Sequence, residues 1–258
     1  MHCQFCYYRS FLAITIEIGM PNILLIKVGD TFPTLQAQQG DFEQMIYQTL
    51  SQSSAQFTLY DPRKNPSHPS LSNFDAIIIT GSHAMVTDQE DWSEALLPYI
   101  REMYQCNIPV LAICYGHQLV AKALGGESGF HPKGPEPGTV EVITTEQAAT
   151  DELFHALPKS FRVNVAHSQT VLQKPSTAVV LAANNFEPHQ ALRMGNIWSV
   201  QFHPEFNRET TQFYVREIAE QIRDHQGDVE AIYRNCQDTP DSELLLKRFV
   251  EIATSMSA

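Results

Sequence analysis

Short, almost unbroken apolar runs recur along the chain, separated by stretches with helical periodicity. This alternation restricts the fold more than any other feature. The first run is Ile23-Leu24-Leu25-Ile26-Lys27-Val28, followed by Ala76-Ile77-Ile78-Ile79 and Val110-Leu111-Ala112-Ile113. A strand that carries apolar residues at consecutive positions has both of its faces covered. Residues 41–54 place Phe42, Met45, Ile46 and Leu50 at helical spacing, Phe57-Thr58-Leu59-Tyr60 reads as a further strand, and 91–106 reads as a helix. Strands alternating with helices in this way argue for an α/β sheet with helices on both faces.

The remainder of the chain is richer in strands. Asp61 to Ser72 holds three prolines and reads as a loop, as does the Gly- and Pro-rich stretch Glu127 to Gly138. Strands are expected at Val140–Thr144, Phe161–Val165, Val179–Ala182, Ala191–Met194 and Ile197–Phe202. An amphipathic helix follows over 209–224, with Phe213, Val215, Ile218 and Ile222 inward. Two short helices are expected near 228–235 and 241–254, with Asp238-Thr239-Pro240 as the break.

The 258 residues carry a formal net charge of −12, and no block of Lys or Arg offsets it locally. Such a chain repels phosphate backbones, so nucleic acid and anionic membrane are set aside as partners in favour of a small polar substrate or a protein. The five cysteines are odd in number and scattered, which fits a reducing, cytoplasmic compartment better than a disulfide framework. No apolar run has the length of a membrane span. Phe11 to Ile18 is interrupted by Thr15 and Glu17 and makes a poor signal peptide. Cys3 and Cys6 form a Cys-x-x-Cys beside His2, but there is no second pair and the segment precedes the fold, so no metal or redox role is expected there. Asp88, Glu90 and Asp91 suit the solvated start of a helix, where the macrodipole favours acids.

Two short segments carry chemistry. Ile113-Cys114-Tyr115-Gly116-His117-Gln118 sets a cysteine between a buried strand and a helix that Gly125-Gly126 stops. That is the mechanical signature of a nucleophile elbow, a sharp turn that lifts the side chain above the end of the sheet. A helix N-terminus at that point favours thiolate over thiol. The second segment is Gln201-Phe202-His203-Pro204-Glu205-Phe206. A strand delivers His203 at its end, Pro204 restricts it to an extended backbone, and Glu205 is close enough to reach the imidazole. Thiol, imidazole and carboxylate are the parts of a triad. His83 and His117 lie near the same crevice in sequence, where substrate contact and solvent-facing polarity are equally open to them.

The two segments together, in this order and separation, resemble the class I glutamine amidotransferases, and most closely the free-standing, GMP-synthase-like members. Supporting pieces are Ile-Ile-Ile-Thr-Gly-Ser at 77–82, Ala-Lys-Ala-Leu-Gly-Gly at 121–126 and Ala-His-Ser at 166–168. The resemblance spans roughly Asn22 to Arg223. It implies an open, mostly parallel flavodoxin-like or Rossmann-like sheet over residues 22–225, preceded by an extension (1–21) without ordered structure and followed by a helical tail (226–258). It implies that Cys114 attacks the side-chain amide of glutamine, that His203 relays protons and that Glu205 orients His203. It also implies an oxyanion hole from the backbone of Tyr115 and of the Gly81-Ser82 loop, and substrate contacts from Gln118, His167 and Ser168. Many members have a second glycine where this chain has Ser82, and a proline where it has His83. The backbone at Ser82 must therefore be one that a non-glycine residue can hold. No cofactor and no metal are implied.

No synthetase domain fits within the chain, so an ammonia acceptor is expected either on a separate synthetase subunit or not at all. Two other enzymes use related parts. A γ-glutamyl peptide hydrolase would form the same thioester and would want a cation for the leaving group's carboxylate, for which Lys133, His131 and His83 are the candidates. Related cysteine hydrolases build their His–Cys pair at the elbow itself, which would recruit His117. A catalytically silent binding module on the same fold has no need to keep all three triad residues. A chain beginning at Met20 is predicted to fold and function as the full one does. A large fall in Tm on removing residues 1–19 would show instead that this segment packs on the domain.

Overall fold

The computed structural model describes residues 20–256. Cys3, Cys6 and the Phe11–Ile18 stretch lie outside the described residues. The strands are β1 (Asn22–Ile26), β2 (Gln56–Tyr60), β3 (Ala76–Ile79), β4 (Val110–Ile113), β5 (Glu127–Phe130), β6 (Glu136–Thr144), β7 (Ser160–His167), β8 (Gln169–Gln173), β9 (Val179–Ala183), β10 (Ala191–Met194) and β11 (Ile197–Val200). The α-helices are α1 (Pro33–Gln39), α2 (Phe42–Thr49), α3 (Asp91–Gln105), α4 (Tyr115–Ala123), α5 (Arg208–Glu217), α6 (Ala219–Asp224), α7 (Val229–Asn235) and α8 (Pro240–Met256).

Nine strands form one sheet in the order β2-β1-β3-β4-β11-β10-β9-β6-β7. The first five are mutually parallel, and the rest are joined by antiparallel pairs. All but β10 and β6 therefore run the same way, as expected of a mostly parallel sheet. The unbroken apolar runs now have a physical explanation. Ile23, Leu25, Ile78, Leu111 and Ile113 face one core with Ile46 and Leu50, while Leu24, Ile26, Ile77, Ile79, Val110 and Ala112 face the other with Leu96, Ile100 and Leu119. Alternate side chains of each strand enter different cores, so no position is left for a polar residue.

The chain crosses from β2 over β1 to β3, so the carboxyl ends of β1 and β3 flank a crevice. In open α/β sheets such a switch point is where ligands bind. The loops leaving β3, β4 and β11 carry Gly81-Ser82, Cys114 and His203.

Several elements differ from the sequence reading. The Gly- and Pro-rich stretch 127–138 contains β5 and the start of β6. Pairing with β8 and β7 supplies the hydrogen bonds that local propensity does not. Gly138, at φ +99°, lies where a Cβ would approach Ile232 Cγ2 to 2.7 Å, so this position needs glycine on two counts. Helix α1 buries only Leu35 and has no apolar stripe to announce it. The expected helix over 41–54 ends at Thr49, before Ser51-Gln52-Ser53-Ser54. The helix over 209–224 is interrupted at Ile218, giving α5 and α6. The stretch after residue 225 is deeply integrated: Leu245, Leu246 and Phe249 of α8 are fully buried in the core that also holds Trp198 and Phe161. Phe249→Ala is expected to cost about 3–5 kcal/mol, the range for emptying a buried phenylalanine site. Unchanged stability to denaturant would show that α8 is not part of this core.

Candidate active site

Cys114 directly follows β4 and stands at the N-terminus of α4 with φ 50° and ψ −100°. A non-glycine residue held at positive φ stores strain of about 1–3 kcal/mol, and the surroundings enforce it. The Cys114 amide donates to Val200 O at 2.8 Å, and Cys114 O accepts from Gln118 N at 3.1 Å. Glycine is needed at position 116 because a Cβ there would sit 3.0 Å from Ile79 O. The elbow read from the sequence is therefore a measurable backbone feature.

His203 reaches the same point from β11. Its Nδ1 is 2.7 Å from Glu205 Oε1, and both side chains are almost completely buried. The imidazole stacks on Phe206 with centroids 4.0 Å apart, and Phe42 lies parallel at 6.0 Å. Gly81 lies between the two segments: a Cβ there would be 2.8 Å from His203 Cε1 and 3.6 Å from Cys114 Cβ. Burial by itself lowers the proton affinity of His203. The Glu205 carboxylate and the Cys114 sulfur outweigh burial, and the pKa is pushed up from 6.5 to about 10.

Cys114 opens on a cavity of about 240 Å³ whose wall includes Ser82, Tyr115, Gln118, His167 and Ser168. All three substrate-contact candidates thus face one space. Ser82 is not among the residues at positive φ, so its backbone is ordinary. Room for its side chain comes from Gly29, where a Cβ would collide with Ser82 Oγ. Gln118 donates from Nε2 to Gln169 O and to Gln201 Oε1, and Gln201 Nε2 is 3.6 Å from Cys114 Sγ. His167 spans Gln169 O and Glu136 Oε2, each at 3.0 Å. Among the described residues, no Asp, Glu, Lys or Arg lines this cavity.

His117, His131 and Lys133 lie outside the wall of this cavity, whereas His83 is in it. His117 neither faces solvent nor lines the cavity. It is wholly buried with Nδ1 2.8 Å from Ser199 Oγ, and burial, with His189 and His167 nearby, holds its pKa down to about 3. His83 does line the cavity, fixed 2.8 Å from Tyr214 OH, and burial and the charge of His203 lower its pKa. Lys133 turns away: Nζ donates to Asn185 O at 2.7 Å and lies over the Phe186 ring. His131 stacks on Phe186 in an adjoining recess.

The sequence reading missed Asn164 and Tyr214. Asn164 of β7 is fully buried, accepts from His203 N through its backbone O at 2.8 Å and donates from Nδ2 to Phe206 O at 2.9 Å. It thereby holds both sides of the loop that carries Glu205. Tyr214 of α5 links His83 to Thr31. No local motif marks either residue. Among the described residues there is no group of three or more His, Cys, Asp or Glu placed to hold a metal, and no helix long and apolar enough to cross a membrane.

A sequence model described as glutamine amidotransferase class-I matches residues 38–220. The chain belongs to the class-I glutamine amidotransferase family. It is 31% identical to gamma-glutamyl peptidase 4 of Arabidopsis thaliana over 147 residues, covering 56% of this chain and only 59% of that protein's length. It is 30% identical over 168 residues to a subunit of the glutamine-hydrolyzing GMP synthase of Ignicoccus hospitalis, 64% of this chain and 84% of that one. A glutamine amidotransferase structure from Thermotoga maritima superposes with a TM-score of 0.72 at 19% identity, over 92% of this chain and 99% of its own, and shares the fold.

The raised proton affinity of His203 couples its protonation to folding. Its contribution to stability is complete below about 6.5, the ordinary histidine value, and is lost as pH rises through about 10. Glu205→Gln removes the main opposing charge. It is expected to bring the NMR titration of the His203 ring down towards the ordinary range and to flatten the loss of Tm as pH rises from the ordinary histidine value through about 10. A titration that stays near 10 in the variant would assign the shift to another group.

Proposed function

We propose that the chain hydrolyses a γ-glutamyl amide, glutamine first, through a thioester on Cys114. The observation that carries this reading is the strained, positive-φ Cys114 beside a buried His203–Glu205 pair, opening on a cavity lined by Gln118, His167 and Ser168. The Cys114 thiolate adds to the amide carbonyl carbon, and the oxyanion is met by backbone N–H groups of Tyr115 and of the Gly81-Ser82 loop. His203, as imidazolium, gives its proton to the departing nitrogen as the C–N bond breaks, and ammonia leaves. A γ-glutamyl thioester remains. The now neutral His203 takes a proton from water, hydroxide adds to the thioester, and the C–S bond breaks to release glutamate and restore the thiolate. Glu205 fixes the ring orientation and stabilises its charged form. Gln118, His167 and Ser168 hold the glutamyl group.

Ammonia released in this way serves either free hydrolysis or a separate synthetase subunit. The likeness to a GMP synthase subunit supports the second arrangement. Hydrolysis of γ-glutamyl peptides is the alternative, supported by the likeness to a plant gamma-glutamyl peptidase. Glutamine ranks first because, among the described residues, the cavity wall offers no lysine or arginine for the carboxylate of a peptide leaving group, and Lys133 is engaged elsewhere.

The test is steady-state glutamate release from glutamine and from γ-glutamyl dipeptides by the purified chain. Cys114→Ala should abolish turnover, whereas Cys106→Ala and Cys236→Ala should keep it. His203→Ala should cost about 10²–10⁴-fold, the usual worth of positioned proton transfer, and far more than His117→Ala. Turnover retained by Cys114→Ala would overturn the reading. A kcat/KM for dipeptides well above that for glutamine would reverse the order of substrates.

A further inference from the structure

Beside the Gly81-Ser82 turn stands a side chain that the thioester chemistry does not use. His83 lines the cavity on which Cys114 opens. The residue as a whole is exposed, but its ring is packed, with its centroid 4.3 Å from that of Phe32 and 6.0 Å from that of Phe42. Phe42 also lies parallel to His203 at 6.0 Å, so one aromatic ring braces both imidazoles. Gly81, two residues earlier, is the position where a Cβ would collide with the His203 ring. His83 therefore belongs to the side of the cavity where the nitrogen leaves. Gln118, His167 and Ser168 enter instead from α4 and from the β7–β8 turn.

The ring is anchored through one nitrogen and offers the other. Nε2 is 2.8 Å from Tyr214 OH, which is 2.8 Å from Thr31 Oγ1. The Thr31 amide donates to Asp41 Oδ1 at 2.7 Å, and the fully buried Asp41 accepts from Lys27 Nζ through Oδ2 at 2.5 Å. These contacts tie the ring to the segment that follows β1. Nδ1 has no hydrogen-bond partner among the described residues. Partial burial is the largest cause of the lowered pKa of His83, and the charge of His203 is the next, so one ring nitrogen keeps its lone pair. When Nε2–H donates to Tyr214 OH and Tyr214 OH donates to Thr31 Oγ1, that lone pair is on Nδ1.

The leaving nitrogen has a matching need. As the C–N bond breaks, its own lone pair faces the His203 imidazolium that protonates it. The hydrogens it already carries point elsewhere and need an acceptor, and among the described residues the cavity wall has no Asp or Glu to supply one. We propose that His83 determines specificity on the leaving-group side. Its Nδ1 accepts an N–H of the departing nitrogen, and its ring, backed by Phe32, fills the place that a carbon substituent on that nitrogen would need. The proposal rests on hydrolysis through Cys114. A primary amide has two N–H groups and satisfies the site. A secondary amide carries carbon in place of one of them, so it either forfeits the hydrogen bond or meets the ring. A site built to bond a substrate N–H rejects an analogue lacking it more strongly than an apolar pocket can.

The test is kcat/KM for glutamine and for γ-glutamylmethylamide, measured on the full chain and its variants. His83→Ala is expected to lose about tenfold on glutamine, the worth of one hydrogen bond, and to gain on the methylamide. His83→Asn and His83→Gln separate contact with substrate from support of the fold. The asparagine oxygen is as many bonds from Cα as Nδ1 is, so it supplies the acceptor and abandons Tyr214. The glutamine side-chain amide reaches as far as Nε2, so it keeps Tyr214 and loses the acceptor. His83→Asn is expected to restore the preference for glutamine, and His83→Gln to resemble His83→Ala. Recovery by His83→Gln, no recovery by His83→Asn, or an unchanged ratio of the two substrates in His83→Ala would overturn the proposal and leave the hydrolytic reading intact. No turnover of glutamine, or turnover that survives Cys114→Ala, would overturn the hydrolytic reading and the proposal with it.

Discussion

The backbone turn at Cys114 is the constraint around which the site is organised. A residue at φ 50° and ψ −100° does not stay there on its own account, since the strain of about 1–3 kcal/mol would relax in a free peptide. Here β4 is clamped between β3 and β11, with all four of its residues buried. Burying such a strand on both faces outweighs the strain, because each fully buried aliphatic side chain contributes about 1.5–3 kcal/mol. The sheet therefore holds the thiol in a conformation that local propensity opposes, and α4 begins where the strand stops.

The imidazole is held by a different means. His203 lies on a loop, and its position depends on a polar scaffold: Asn164 grips the loop on both sides, and Thr139 Oγ1 in turn donates to Asn164 Oδ1 at 2.6 Å. Aromatic rings complete the support, with Phe206 against the imidazole and Tyr214 stacked on Phe206 at 4.9 Å. Two structural halves thus meet at the site. The parallel half supplies Cys114 and the Gly81-Ser82 turn, and the antiparallel extension supplies Asn164, His167 and the support for Glu205. α8 packs against both halves.

Much of this was legible in the sequence. The parallel strands announced themselves because a strand buried on both faces must be apolar throughout. Cys114 was legible because it stands between such a strand and a glycine-stopped helix, where a sharp turn is unavoidable. His203 and Glu205 were legible through Pro204, which fixes the backbone between them. What could not be read had no local pattern. Helix α1 buries one side chain, β5 and β8 exist because they pair with each other, and Asn164 looks like any polar residue in a strand until its partners at 203 and 206 are brought to it.

The histidines and Lys133 mark the same boundary. By itself, the sequence determined the α/β class and the elbow, through periodicity and turn chemistry at short range, and its two motifs together, by their resemblance to the class I glutamine amidotransferases, named the groups expected to meet there. The tertiary structure decided which nearby groups are usable. It buried His117 against Ser199, tied Lys133 to Asn185, fixed His83 to Tyr214 and left Glu205 with one oxygen unpaired among the described residues. The physical reason is that hydrogen-bond partners and desolvation come from residues tens of positions away, and only the folded sheet brings them within reach.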